Sequence, residues 1–311
     1  MNPGRHTDEF IRKAAFDWLA ANSELNGNVF SRNALARGFD FNGDQVRLVG
    51  PQGIFKPRKM TLPLSITTSA DSPYSDSIDG GNLYYSYRGT NPDHPDNRGL
   101  REVMRSGRGL VYFHALMPGR YFAMWPVFVV GDNPKKLTFT ILVDDERVMN
   151  LTEATGASVA DPEAADVRRR YVTAIARRRL HQAAFRERIL EAYREQCSLC
   201  RLRHLELLDA AHIIGDLEEG GEPVVSNGIA LCKLHHAAFD RFFISVRPDY
   251  VIEVRRDLLE EVDGPVLKHA LQGLHGRTIE VPRRAALKPD RDRLEIRHAK
   301  YLEFARARAG S

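Results

Sequence analysis

All three cysteines of this chain lie between positions 197 and 232, and no other feature constrains its fold as much. Cys197-Ser-Leu-Cys200 presents two thiolates from one tight turn, and Cys232-Lys-Leu-His235 presents a thiolate and an imidazole from a second. Cys3His is a complete tetrahedral set, and structural zinc sites fill every position with protein ligands. An odd number of cysteines does not suit a disulfide framework. The N-terminus, MNPGRHTDEFIRKAAFDWL, also lacks the apolar core of a secretion signal. The expected ion is therefore a structural Zn2+ that pins the stretch 197–212 to the turn at 232, a segment too short to build its own apolar core. The bland readings are buried free cysteines with a surface histidine, or a redox CxxC that would leave Cys232 and His235 unexplained.

The rest of the chain sets the context. Its 311 residues suffice for two domains, and 43% hydrophobic with 28% charged residues describes a soluble globular protein. No apolar run approaches the ~20 residues of a membrane span, so no membrane partner is expected and the location reads as cytoplasmic. A net charge of +4 with pI near 9.0 is a mild hint of a polyanionic partner. The distribution says more: Arg168, Arg169, Arg170, Arg177, Arg178, Arg179, Arg186 and Arg188 crowd the segment before the first cysteine. Arginine forks suit phosphate and supply sequence-independent affinity for DNA. The alternative is a solvated helix face beside Glu187, Glu191 and Glu195.

Apolar residues at helical spacing (Phe10, Ile11, Ala14, Ala15, Trp18, Leu19) predict a helix over 7–21, with Asp8 and Glu9 suited to its start. From 29 to 145, β-type runs alternate with Gly, Pro, Asn and Asp: QVRLVG, LPLSITTS, NLYYSYRG, LVYFHAL, YFAMWPVFVVG and LTFTILV, with DNRGLREVMRSG as a short helix. This predicts a mostly-β domain, a partly open barrel or curved sheet. Residues 147–163 read as a linker, and 164–196 as one long helix or two abutting ones. The buried side of that helix would be Tyr171, Ile175, Leu180, Phe185, Ile189, Leu190 and Tyr193. Two short strands (FFISV, YVIEV), a turn at Asp263-Gly264-Pro265 and helices over 265–273 and 290–308 complete an α+β chain. Its expected domains are 1–150, a linker with basic helices at 151–196, and 197–311.

A second set of polar residues is interleaved with the cysteines: Asp209-Ala-Ala-His212, Asn227 and His236. With the DAAHI strand, the NGIALC run and a histidine directly after the second knuckle, the segment from Cys197 to Asp240 resembles the HNH endonuclease family. That family's ββα-metal motif is a hairpin and a helix around one divalent cation. The resemblance implies that His212 is the general base activating water, that Asn227 orients backbone or metal geometry, and that His236 ligates a catalytic Mg2+ or Mn2+. Many relatives carry Asp or His immediately before the base. Here that residue is Ala211, so Asp209, of the same strand parity, is the candidate ligand, and Asp240 could also face the metal or orient a histidine. If His235 and His236 exchange roles, only the two labels swap. The resemblance extends over 165–306, through RRLHQAAFRERILEAYREQCSLC and the tail, to HNH proteins that act as restriction endonucleases.

In the first half, SPYSDSIDGGNLYYSYRG followed by DNRGLREVMRSGRGLVYF and PGRYFAMWPVFVV resembles the SRA and wider PUA-like fold of modification-dependent restriction enzymes. This implies a reader of modified cytosine, with the base extruded, stacked on aromatics and hydrogen-bonded at its edge. The candidates are Tyr74, Tyr85 and Tyr87 as faces and Asp76 or Asp79 for an exocyclic amine, with Lys56, Arg58, Lys59 and Arg88 on phosphates. Against each stands the ordinary role: strand aromatics fill cores, and Asp near Gly makes turns.

The leading expectation is a metal-dependent endonuclease cutting double-stranded DNA that bears a modified base. The alternatives are an HNH restriction enzyme for an unmodified sequence and a zinc-stabilised DNA-binding protein with an inactive nuclease fold. One centre cuts one strand, so duplex cleavage is compatible with a homodimer, which no sequence feature marks.

Overall fold

The computed structural model describes residues 3–68, 78–79, 82–143 and 162–309. The chain divides into two compact units, 1–183 and 184–311, and is mixed α+β. The boundary lies inside a long helix, and most of the expected linker at 147–163 falls outside the described residues. No described helix is long and apolar enough to cross a membrane.

The first unit opens with α1 (Pro3–Asn26), β1 (Val29–Ser31), α2 (Arg32–Arg37) and the small hairpin β2 (Phe39–Phe41) and β3 (Asp44–Val46). Then come β4 (Ile54–Phe55), β5 (Ser65–Thr67), β6 (Ile78–Asp79), β7 (Asn82–Ser86), α3 (Pro95–Ser106), β8 (Leu110–Met117), β9 (Arg120–Asn133) and β10 (Thr138–Val143). The main sheet runs β4-β5-β8-β9-β10-β7-β6, with β1 also on β9. Register shifts in β8–β9 and β9–β10 mark bulges, which add twist and curl the sheet. The predicted run QVRLVG is strand only through Val46; proline follows it at 51, and Leu48 bonds back to Leu35 instead.

Both faces of this sheet are covered. The consecutive run Leu110, Val111, Tyr112 and Phe113 is buried throughout. Alternation sends Leu110 and Tyr112 into one core with Leu100 and Val103 of α3, and Val111 and Phe113 into a second with Ile11, Ala15 and Leu19 of α1. Phe10, one of the apolar residues whose spacing predicted the helix, is 62% exposed, because the buried row is the i, i+4 series Ile11, Ala15, Leu19. Asp8 does not stand at the helix start, since α1 begins at Pro3 with no acid in its first turn; it is buried inside the helix and accepts bonds from Thr61 and Leu62. For α3, Pro95 stands in the first turn and Gly107, at φ 61°, closes the helix in the left-handed conformation.

The helix α4 (Pro162–Ala192) carries the chain into the second unit, which contains β11 (Leu208–His212), β12 (Gly228–Cys232) and α5 (Lys233–Asp240). These are followed by the hairpin β13 (Ile244–Val246) and β14 (Ile252–Val254), α6 (Arg256–Glu260), α7 (Pro265–Ala270) and α8 (Arg291–Ala309). The cysteine-rich segment sits in an apolar core that it does not build alone. Ile213, Ile214 and Ile229 pack with Phe185, Ile189, Leu190 and Tyr193 from the preceding segment and with Leu294 from α8. Flanking elements supply the burial that a short segment cannot supply alone.

Candidate metal centres

Cys197, Cys200, Cys232 and His235 converge: their ligand atoms all lie within 4.8 Å of one another. Local geometry brings this about. Cys197 and Arg201 close a tight turn, in which Arg201 N–H donates to the Cys197 carbonyl with Arg201 at φ 62°. Ser198 N–H then ties that turn to the Ala230 carbonyl of β12. Cys232 is the N-cap of α5, so His235 in the first turn faces the same side. The His235 Nδ1 lies 3.4 Å from Cys197 Sγ and 3.2 Å from Cys232 Sγ. A tetrahedral zinc ion with bonds of about 2.1–2.3 Å holds its ligands roughly 3.5–3.8 Å apart, so the donor set fits. His235 Nε2 is 2.7 Å from the Ala270 carbonyl. Donating its proton there leaves Nδ1 bare, as a ligating imidazole requires.

The electrostatics agree. Hydrogen bonds from Cys200 and Cys232 lower the pKa of Cys197 and favour its thiolate. Burial would lower His235, yet its bonds to Cys197 and Cys232 prevail and raise it to about 10. A pocket that draws a proton this strongly is one in which a cation is stabilised.

A second constellation lies on the hairpin and helix. β11 and β12 pair antiparallel with Asp209 opposite Leu231 and His212 opposite Gly228. His236 follows His235 and so points about 100° further round α5. Its Nδ1 lies 3.1 Å from Asp209 Oδ2, and its Nε2 lies 3.3 Å from Asp240 Oδ2. The bond to Asp209 raises the pKa of His236, with the charges of Asp240 and Asp209 adding to it. For Asp209, burial acts upward, but the bond from His236 and the positive charges of His236 and Arg186 bring it below the usual carboxylate value. Asp209 Oδ1 accepts from Ala210 N–H. Among the described residues the cysteine set is the one group of three or more metal-type side chains gathered on a point, and Asp209–His236 is a pair beside it. A carboxylate oxygen and an imidazole nitrogen at this separation fit a Mg2+ or Mn2+ ion that keeps waters as its remaining ligands.

His212 ends β11, half-buried, with its ring stacked on Phe185. Burial lowers its pKa, and it feels the charges of Asp216, His236, Asp240 and Asp209. Asn227 is fully buried. Its Oδ1 accepts from Ile214 N–H at 2.9 Å, and its Nδ2 donates to the carbonyls of Ile214 at 3.0 Å and Glu222 at 3.1 Å. It therefore straps the loop that follows His212.

The remaining sequence candidates are placed differently. Tyr74 and Asp76 lie outside the described residues, as does the side chain of Asp79. Tyr85 of β7 and Tyr87, just past its end, both turn into the same core; they are 5% and 6% exposed. Tyr85 donates to the Thr67 carbonyl, and Tyr87 stacks on Phe139 with its hydroxyl between Asp132 and Arg101. Of the cations offered for phosphate, Lys59 pairs with Asp44, Arg88 with Asp96, and Lys56 donates to the Met60 carbonyl. Arg186 donates to the carbonyls of Leu205 and Leu208, and Arg188 to that of Pro223. The side chains of Arg168, Arg169, Arg170 and Arg177 are outside the description.

Sequence reasoning missed Arg297 of α8. It donates to the Phe239 carbonyl, lies over the rings of Phe239 and Phe242, and stands 3.9 Å from Asp240. One arginine in a charged helix carries no signal of such a contact.

A family model described as HNH endonuclease matches residues 197–247. No curated protein matches the chain. Among solved structures, a modification-dependent TagI restriction endonuclease is similar at 16% identity and a TM-score of 0.32, over 77% of this chain and 81% of that one. A type IV phosphorothioation-dependent restriction endonuclease, ScoMcrA, is similar at 21% identity and a TM-score of 0.23, over 60% of this chain and 51% of that one.

Proposed function

We propose that this chain, whose residues 197–247 match the HNH endonuclease family, is a metal-dependent DNA endonuclease that hydrolyses phosphodiester bonds in duplexes bearing modified cytosine. The observation that carries the nuclease half is the pairing of Asp209 with His236 beside His212 on one hairpin and helix. Asp209 and His236 Nδ1 would hold the divalent cation, and Asp240 would accept the Nε2 proton of His236 to orient the ring, the common arrangement for a ligating histidine. When bound, the cation neutralises the scissile phosphate and the leaving oxygen. His212 takes the proton of the attacking water. Its Nε2 is buried, so the accepting atom is Nδ1, and burial keeps the ring neutral and able to accept. Asn227 acts through the backbone after His212. The cysteine set would hold a structural zinc and so fasten the turn at 197–200 to the start of α5.

Residues 1–150 are assigned to substrate recognition as an SRA/PUA-like reader. What supports this is the order of motifs around Tyr74 and Asp76, together with a curled, mostly antiparallel sheet. A specific observation favours a second reading, of unmodified sequence: Tyr85 and Tyr87 are already committed to the core. One centre per chain cuts one strand, so two copies would act on a duplex.

The test is cleavage of matched duplexes carrying unmodified, 5-methylated or 5-hydroxymethylated cytosine, with Mg2+ or Mn2+. Cutting confined to modified DNA, absent in His212→Ala although that variant still binds, is expected. Equal cutting of all three refutes the modification reader, and undiminished cutting by His212→Ala refutes the assigned base.

A further inference from the structure

A catalytic imidazole is ordinarily oriented by a hydrogen bond from its far nitrogen to a carboxylate or a carbonyl. His212 has no such bond: its Nε2 is buried with no hydrogen-bond partner among the described residues. What it has is a face. The ring lies on that of Phe185, with centroids 4.0 Å apart and planes 16° from parallel.

Phe185 is held there from behind. It is 2% exposed on α4, one turn before the fully buried Ile189. Both press on Gly228, the residue directly opposite His212 in the hairpin. A Cβ at position 228 would stand 2.7 Å from Phe185 Cζ and 2.4 Å from Ile189 Cδ1, closer than real side chains approach. Only glycine lets α4 come near enough for the ring to slide under the histidine. Phe185 lies outside the stretch 197–247 that matches the nuclease family, so the base sits within that stretch and its support outside it.

We infer that Phe185 is a positioning residue for the reaction: through its stack on His212, permitted by Gly228, it sets the plane of the base and so the direction from which Nδ1 meets the attacking water. The inference rests on the reading of His212 as general base. A stacked ring fixes tilt without consuming either nitrogen. It also excludes water from one face, while Asp209, Asp216 and Asp240 draw a proton toward the imidazole and His236 opposes it. A ring that loses its plane loses reactive geometry, and a displacement of about 1 Å can cost about a hundredfold in rate.

The experiment uses the zinc-loaded full chain, supercoiled plasmid bearing 5-methylcytosine, and Mn2+. Phe185→Leu keeps an apolar filler and removes the stack; its kcat should fall by about tenfold or more while KM for the plasmid and the zinc content stay those of the parent. Ile189→Val thins the same packing against Gly228 and leaves the stack, so its kcat should stay close to the parent's. If Phe185→Leu loses zinc, Phe185→Met is read in its place. A parental kcat in the substituted chain, or the same fall in Ile189→Val, overturns the inference and leaves the nuclease reading standing. A parent that cuts neither this plasmid nor an unmodified one overturns both.

Discussion

Asn227→Ala separates a residue that acts on the reaction from one that acts on the backbone. In the structure Asn227 is fully buried, and its amide spends its hydrogen bonds on a strap to Ile214 and Glu222. The backbone adds a further bond, Ile213 N–H to the Asn227 carbonyl, which alanine would retain. Truncation therefore orphans the N–H and carbonyl of Ile214, a residue only 3% exposed, while the carbonyl of exposed Glu222 regains water. At about 1–3 kcal/mol for each buried group left unsatisfied, the two orphans put the loss at roughly 2–4 kcal/mol after partial relaxation. With a urea m-value of about 1–3 kcal/mol per molar, the midpoint should fall by about 1–2 M. The probe matters, because Trp18 and Trp125, the chain's two tryptophans, are both in the other unit. Far-UV circular dichroism and zinc release should be followed instead. Cutting should fall with stability, because the loop carrying Ile213 and Ile214 directly after His212 loosens. Lost cutting at an unchanged midpoint would refute this account and place Asn227 at the reacting atoms. An unchanged midpoint with full cutting would show that the strap contributes nothing.

Three further outcomes are expected. The purified chain should contain one zinc in its Cys3His set, and Cys200→Ser or chelation should release it with loss of helicity, since such ions contribute about 10–16 kcal/mol to folding; a metal-free chain of full helicity counts against the site. Burial lowers the His212 pKa, and the base acts when neutral. Cutting should hold above that value and fail as pH drops through it, so the acid limb of kcat/KM, which reports the free enzyme, lies below the usual ~6.5. The unfolded chain takes this proton first, so stability from this group is intact above about pH 6.5 and lost as pH falls toward the folded value; a limb at or above 6.5 would contradict the assignment. Tyr87→Phe removes the hydroxyl between Asp132 and Arg101 and should cost the first unit about 0.5–1.5 kcal/mol by tryptophan-monitored unfolding, with discrimination between modified and unmodified duplexes unchanged. Lost discrimination at constant stability would return Tyr87 to the base-binding role.

How much was legible depends on the reach of each interaction. The Cys3His set could be read from the chain because its two halves are local: a tight turn sets Cys197 and Cys200, and the first turn of α5 sets Cys232 and His235. The helices expected at DNRGLREVMRSG and around 290–308 are present as Pro95–Ser106 and Arg291–Ala309. Asp209 could be named as a candidate from strand parity, yet its partner is 27 positions away, and only the β11–β12 register with the turn into α5 brings it to His236. Tyr85 and Tyr87 show the limit. Alternation put them on one face, but whether that face met a base or a core depended on what covers it, and Asp132, Arg101 and Phe139 cover it.

The sequence by itself determined the candidate metal-ligand set, the α+β character and the match of residues 197–247 to the HNH endonuclease family, because residue type and short spacing are properties of a stretch of backbone whatever surrounds it. Only the tertiary structure decided that His212 rests on Phe185, that Gly228 admits the ring, that Arg297 meets the end of α5, and that Asn227 binds backbone. Each of those contacts joins segments far apart in the chain, and close packing, rather than local propensity, selects which distant side chains share a space.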